Sequence, residues 1–394
     1  MKKLLSHATV LAFFGIVTMV FVVSMFYPKH AVSMTENRNL AQRPVNDLTD
    51  LRALTENWAD YVVDQFPFRE RLLKVYSALE LAQDKRLTRN TYITEDGWLM
   101  TRIYPVSEGE RLTFVWAIDS AARNTEPDFV YAVLPQKNDM LSELAEPYVD
   151  NSVSVENKAA LLTEMEKATE VKTLDVGGYL LETYSLKERM QMYYRTDFHW
   201  NSYGAFLAAQ YIGEEMAATG LLDGVTLPTS EDFHWEELGE DHLYCGDLNR
   251  RLSYLLSMHE NIPNYSLRDA AQVRYYRSVD DSVPVEREEI VGSGLAEDCL
   301  NYNGISTANL SYYRVVNPNA RSAKHVLILK DSYQNPTIDY FTELFAEVAV
   351  IDPRYYSEPY SFSEILEQND IDIVLLMYHQ NNHSIELTDF FHGK

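Results

Sequence analysis

Five short apolar runs, Phe129 to Leu134, Val171 to Val176, His325 to Leu329, Val348 to Ile351 and Ile371 to Met377, restrict the architectures open to this chain. Nearly continuous apolarity over so few residues marks strands covered on both faces, because a strand with one wet face would alternate. Glu110 to Arg123, Val155 to Thr169, Thr337 to Glu347 and Ser361 to Asn369 lie between those runs and are amphipathic at helical spacing. This βα order predicts an α/β fold, an open parallel sheet with flanking helices. Ligands of such sheets gather at the carboxyl ends of the strands.

The chain divides by pattern into five stretches. Residues 1–30 are a short stub and a transmembrane helix: Ala8 to Tyr27 carry no charge, and about 20 such residues span the roughly 30 Å core of a bilayer. Lys2 and Lys3 precede the run, which places the N-terminus in the cytoplasm and the rest outside the cell membrane. A cleaved signal peptide is the competing reading. Residues 31–90 hold a polar tether, Met34 to Pro44, and two helical patterns, Leu48 to Val63 and Arg69 to Lys85, broken by Phe66-Pro67-Phe68. Residues 91–220 open with a hairpin pattern from Tyr92 to Leu99 around Asp96-Gly97. Residues 221–320 are rich in charge, turns and tyrosine and read as an insertion of mixed or β character, with strand-like Gln272 to Tyr276 and Ser311 to Val316. Residues 321–394 resume the α/β pattern.

With 394 residues, 46% of them hydrophobic, the chain can bury a substantial core. Its formal charge of −25 excludes a nucleic-acid backbone as partner and is compatible with a neutral glycan. Cys245 and Cys299 are the only cysteines. They either pair, as an extracellular location permits, or are buried thiols, and sequence leaves both open. His234, Asp241, His242 and Cys245 are dense enough to consider zinc, but no familiar ligand spacing results, so neither a metal nor another cofactor is expected. Trp98, Trp116, Trp200 and Trp235 could stack on sugar rings, although burial is the commoner fate of tryptophan.

The chemistry-bearing constellation is Thr196-Asp197-Phe198-His199-Trp200-Asn201 together with Lys330-Asp331-Ser332-Tyr333, where a strand runs into a corner. A serine hydroxyl needs a base, imidazole titrates in the useful range, and a carboxylate can orient that ring. In the plainer reading His199 caps a helix and Ser332 makes a turn. Asn201 is a good cap for a helix from Ser202 to Thr219, whose Ala205, Ala208, Ile212 and Met216 form a core-facing stripe. That scaffold favours His199 over His234, although Asp197-Phe-His-Trp200 recurs as Asp232-Phe-His-Trp235, because acidic residues follow His234. Further candidates at strand ends are Arg354, Tyr378, Lys137 and Asn138, as donors to an acyl group or sugar hydroxyl.

With Gln65-Phe-Pro-Phe-Arg69, Asp96-Gly-Trp-Leu99 and Ile351-Asp-Pro-Arg-Tyr-Tyr356, these motifs make up a specific order over most of residues 35–380. The chain resembles the DHHW family, which is similar in turn to the alginate O-acetyltransferases of the SGNH-hydrolase-like fold. The resemblance implies Ser332 as nucleophile, His199 as base and Asp197 as the acid that orients it. It also implies an acetyltransferase or esterase acting on a cell-envelope or secreted polysaccharide, with a membrane-bound O-acyltransferase as donor partner. Lys330 stands where hydrolases of this broad fold usually carry glycine, so the oxyanion donors are assigned by default to the backbone N–H groups of Ser332 and Tyr333. The rival expectation is a non-catalytic glycan-binding or scaffold protein with the same fold.

Overall fold

The computed structural model describes residues 2–393 other than 34, 37, 46–48, 148, 169, 257, 292–294, 297, 298 and 308, with side chains from Val10 onward except those of residues 295 and 296. Contacts divide the chain into two compact units, residues 1–89 with 249–257, and residues 90–248 with 258–394.

The first unit is helical: α1 (Lys2–Phe26), α2 (Leu51–Asp64) and α3 (Arg69–Ala82). The expected start of α2 at Leu48 lies outside the described residues. Asp50 caps the helix by accepting from the N–H groups of Arg52 and Ala53. The break between α2 and α3 falls where Phe66-Pro67-Phe68 predicts it, with Phe68 at φ 59°. Asp64 fastens the tether to this turn, gripping Arg38 Nη1 and Nη2 at 2.8 and 2.6 Å and the Ala41 N–H at 2.8 Å. Burial alone would raise the Asp64 carboxyl, but the Arg38 hydrogen bond outweighs it and brings it down to about 2. Among the described residues no helix is long and apolar enough to cross a membrane. The side chains of Ala8 and Thr9, where the expected span begins, lie outside the described residues.

The second unit begins with the hairpin β1 (Thr91–Ile93) and β2 (Leu99–Thr101), turned by Gly97 at φ 79°. Then follow α4 (Glu108–Arg123), β3 (Asp128–Leu134), α5 (Ser152–Met165), β4 (Val171–Asp175), α6 (Val176–Thr183) and α7 (Ser202–Ala218). The segment read as an insertion supplies an antiparallel pair, β5 (Phe233–Glu237) with β6 (Pro263–Leu267), and then β7 (Arg274–Tyr276) and β8 (Tyr312–Val316). The chain closes with β9 (Ser322–Lys330), α8 (Ile338–Leu344), β10 (Phe345–Ile351), α9 (Phe362–Gln368), β11 (Ile373–His379) and α10 (Ile385–Phe391).

The central sheet has the order β7-β8-β10-β9-β11-β3-β4. Its five strands β10, β9, β11, β3 and β4 are parallel, as the apolar runs predict. The insertion makes the whole a mixed sheet: β8 runs antiparallel to β10, and β7 antiparallel to β8. Only residues 317–321 separate β8 from β9, too short a link for the crossover that parallel strands require. The two strand-like stretches of the insertion therefore extend the main sheet.

Both faces are covered. On one, Val326, Ile328, Val350, Leu375 and Met377 meet the buried Ala205, Ala208, Ile212 and Met216 of α7. On the other, Leu327, Leu329, Ile351, Val374 and Leu376 meet Phe114 and Ile118 of α4, Leu161 of α5 and Leu387 of α10. Successive residues of one strand serve opposite faces, and each buried aliphatic side chain contributes about 1.5–3 kcal/mol. The pairings Leu329 with Ile351, Lys330 with Met377 and Met377 with Ala132 align the carboxyl ends of β10, β9, β11 and β3 along one rim.

Candidate active site

Ser332 lies one residue beyond β9 and opens a 3₁₀ turn, Ser332–Thr337, capped by Asp331. Asp331 holds this corner: one carboxylate oxygen accepts from the Tyr333 N–H at 2.9 Å, the other from the His379 N–H at 2.9 Å and Asn382 Nδ2 at 3.0 Å. Burial pushes the Asp331 carboxyl upward, but the His379 and Asn382 contacts prevail and keep it well below the usual range.

Asp197 and His199 precede α7, and Asn201 caps that helix by accepting from the N–H groups of Tyr203 and Gly204, both at 3.1 Å. The fixed helix start presents the imidazole to the rim, where His199 Nε2 lies 2.8 Å from Ser332 Oγ. His199 Nδ1 lies 2.8 Å from Asp197 Oδ1. A carboxylate only accepts, so Nδ1 carries the proton and Nε2 is left to receive the serine hydroxyl. Asp197 is fully buried, His199 3% exposed, and Ser332 half-buried. Desolvation would raise the Asp197 carboxyl, but His199 and the N–H groups of Asp247 and His199 hold it well below its ordinary value.

Two remote segments meet here because each supplies the other's polar partner. Trp200 Nε1 donates to the Tyr333 carbonyl at 2.7 Å, and the Tyr333 hydroxyl donates to the Phe198 carbonyl at 2.7 Å. Neither buried group would otherwise be satisfied without water.

The stretch 221–320 contributes groups that sequence reading missed. The Tyr244 hydroxyl (3.1 Å) and the Asp247 N–H (2.9 Å) donate to Asp197 Oδ2, filling its second oxygen. The Tyr302 ring stacks on His199 at 3.8 Å and 6°. Glu260 accepts from the N–H groups of Arg195 and Thr196 at 2.7 and 2.8 Å, and burial raises its carboxyl. Gly246 sits against the Thr196 carbonyl so closely that a Cβ there would overlap it. A disulfide joins Cys245 to Cys299, Cα to Cα 5.8 Å, between Tyr244 and Tyr302. This pairing takes Cys245 out of the considered zinc cluster, and among the described residues no group of three or more His, Cys, Asp or Glu could hold a metal ion. His234 is exposed on the strand β5, which also carries Glu236 and Glu237.

Four other candidates are engaged elsewhere in the structure. Tyr378 is fully buried in β11 with its ring against Phe114, so it packs the sheet. Lys137 is also fully buried; its ammonium donates to the carbonyls of Leu99, Tyr194 and Asp197 at 2.7 Å and of Arg195 at 3.1 Å, and desolvation lowers it to about 7. It knots together the loop that carries Asp197. Asn138 donates to the Thr101 carbonyl at 2.9 Å. Arg354 forks onto buried Asp352 at 2.8 and 2.6 Å. All four lie near strand ends as the rim rule predicts, but backbone carbonyls take up the donors of Lys137 and Asn138, and a buried carboxylate those of Arg354. Tyr333 also departs from expectation, because its N–H is bonded to Asp331 and its hydroxyl to Phe198. The Ser332 N–H, first in its turn and without an acceptor inside it, is the remaining default oxyanion donor.

A family model described as SGNH hydrolase-like domain, acetyltransferase AlgX, matches residues 93–286, which include Asp197 and His199 and end before Ser332. The chain is 27% identical over 204 residues to the probable alginate O-acetylase AlgJ of Pseudomonas aeruginosa, covering 48% of this chain and 47% of that protein. It is 23% identical over 168 residues to the AlgJ of Pseudomonas syringae pv. tomato, covering 41% and 42%. The chain thus spans about half the length of the curated relatives it matches. Among solved structures, Bacillus cereus PatB1 aligns with TM-score 0.66 and 25% identity over 76% of this chain and 100% of that one. A DHHW family protein from Eubacterium siraeum aligns with TM-score 0.59 and 15% identity over 78% and 96%, a likeness of fold. The chain has the SGNH-like α/β fold, and its resemblance to the DHHW family and the alginate O-acetyltransferases holds.

Proposed function

We propose that this chain is a serine O-acetyltransferase of the SGNH type that acts on a polysaccharide outside the cell membrane, tethered by α1. The observation that carries the reading is the relay from Ser332 Oγ through His199 to Asp197, two contacts of 2.8 Å in series. The likeness to an AlgX-type acetyltransferase domain and to proteins named alginate O-acetylase supports the reaction class and substrate type.

In the first half-reaction Ser332 Oγ attacks the acyl carbonyl carbon while its proton passes to His199 Nε2. Asp197 favours the imidazolium that results, and the Ser332 N–H faces the developing oxyanion. Collapse expels the donor's leaving group, which takes the proton from His199, and an acetyl-serine remains. A sugar hydroxyl then gives its proton to His199 and attacks the acetyl carbon, releasing Ser332 as the hydroxyl. Water in the second step makes the same machinery an esterase. The donor is a membrane-bound O-acyltransferase in this reading, as the family resemblance implies.

Labelling with a sulfonyl fluoride, together with hydrolysis of an activated acetyl ester, tests the proposal. The wild-type chain should be labelled at Ser332, and Ser332→Ala and His199→Ala should each lower turnover by about 10³-fold or more. Labelling that survives in Ser332→Ala, or a wild-type chain inert in both assays, overturns the catalytic reading and leaves the glycan-binding one.

A further inference from the structure

The first unit carries an apolar face that none of its described residues covers. On α3, Leu72, Val75, Tyr76 and Leu79 are 50–58% exposed, and Phe68 at the helix entrance is 46% exposed. Their spacing of three and four residues puts them on one stripe, which in a globular helix would face the core. Here the stripe faces outward.

Three observations indicate what lies against it. The stripe continues into α1: Phe68 packs edge-on against Tyr27, ring centres 4.9 Å apart, at the exit of a helix whose Phe13, Phe14, Ile16, Met19 and Phe21 are all more than 60% exposed. Between α1 and α2 lies an apolar groove of about 530 Å³ whose lining includes Val17, Phe21, Trp58 and Phe66 with the cations Lys29 and Arg43, a composition suited to an acyl chain under an anionic headgroup. Charge is also segregated. Residues 27–89, on the α3 side of the tether, hold 10 Lys and Arg against 9 Asp and Glu, whereas residues 90–394 hold 22 against 50. The part that bears the stripe is close to neutral beside a strongly acidic remainder and sets Lys29 and Arg43 at the groove, and anionic lipids attract basic groups beside an amphipathic segment.

We propose that α3 lies in the interface of an anionic lipid bilayer with Phe68, Leu72, Val75, Tyr76 and Leu79 in its acyl region, so that the chain holds the membrane by two elements. The inference rests on the tethered reading of α1 and is independent of the chemistry at Ser332. An interfacial helix of this kind gains about 25 cal/mol per Å² of apolar surface removed from water.

Because the only native cysteines are paired, single cysteines at 72, 74, 75 and 79 of the full chain can carry an environment-sensitive fluorophore. The chain is reconstituted in vesicles of phosphatidylcholine with phosphatidylglycerol. Lys74 lies on the opposite side of the helix and serves as the internal reference. Lipid-borne spin labels should quench probes at 72, 75 and 79 at least about threefold more than at 74, and Leu72→Glu/Val75→Glu should abolish the quenching at 79 while the chain still floats with vesicles. Equal quenching at all four positions, or cross-linking of two copies through position 72 without lipid quenching, overturns the proposal. A chain that does not float overturns both the tether and the interfacial helix, whereas loss of acetyl transfer in a chain that is quenched as expected counts against the proposed reaction alone.

Discussion

At the residue scale, the carboxylate of Asp197 accepts from His199, Tyr244 and Asp247 at once, so an amide in its place would disturb orientation before it disturbs packing. Asp197→Asn should reduce turnover by about 10²–10⁴-fold with little change in KM, read from steady-state kinetics on an acetyl ester. Asp197 and Asp331 both titrate well below the ordinary aspartate value in the folded chain. The unfolded chain therefore takes up these protons first as pH falls. Their stabilisation is complete above about pH 4 and is lost as pH drops toward the folded values. Asp331→Asn should flatten the fall in unfolding free energy between about pH 4 and 2, measured by urea titration. Lys137 makes a separate point: Lys137→Met takes the ammonium away from four carbonyls, of which that of Arg195 keeps the Leu99 N–H, and a loss of about 3 kcal/mol or more is expected in the same titration.

At the scale of elements, the cap at Asn201 and the stripe of α7 were legible because both are local: a side chain two or three residues from the amides it caps, and a period of 3.6. The strand runs were legible for the same reason, although β10 begins at Phe345, earlier than Val348, and α8 ends at Leu344 rather than Glu347. Tyr302, Tyr244 and Glu260 were not legible. Their partners lie about 50 to 100 residues away, and nothing in their own neighbourhoods distinguishes them from the other tyrosines and acids of the stretch. Asn201→Ala should cost about 1–2 kcal/mol, since it removes the cap and also the bond from Asn201 Nδ2 to the Gln191 carbonyl. Asn201→Asp, which retains the cap and loses only that bond, should cost less in thermal unfolding.

At the scale of the whole molecule, the Asp-x-His segment and the Ser332 corner stand 133 residues apart and are joined by the stretch that sequence reading set aside as an insertion. That stretch lengthens the sheet and also walls the imidazole, which is why its loss would not leave the site intact on a smaller fold. Its disulfide spans 54 residues, and constraining a loop of that size in the unfolded chain is worth about 4 kcal/mol. The bridge carries Tyr244 beside one of its sulfurs and Tyr302 close to the other, the phenol on Asp197 and the ring on His199. A newly synthesised chain with its thiols still reduced would thus fold its sheet while leaving the serine dormant, and oxidation would be its step of maturation. Refolded under reductant, the chain should acquire its far-ultraviolet dichroism at the usual rate, while sulfonyl labelling of Ser332 waits for an oxidant.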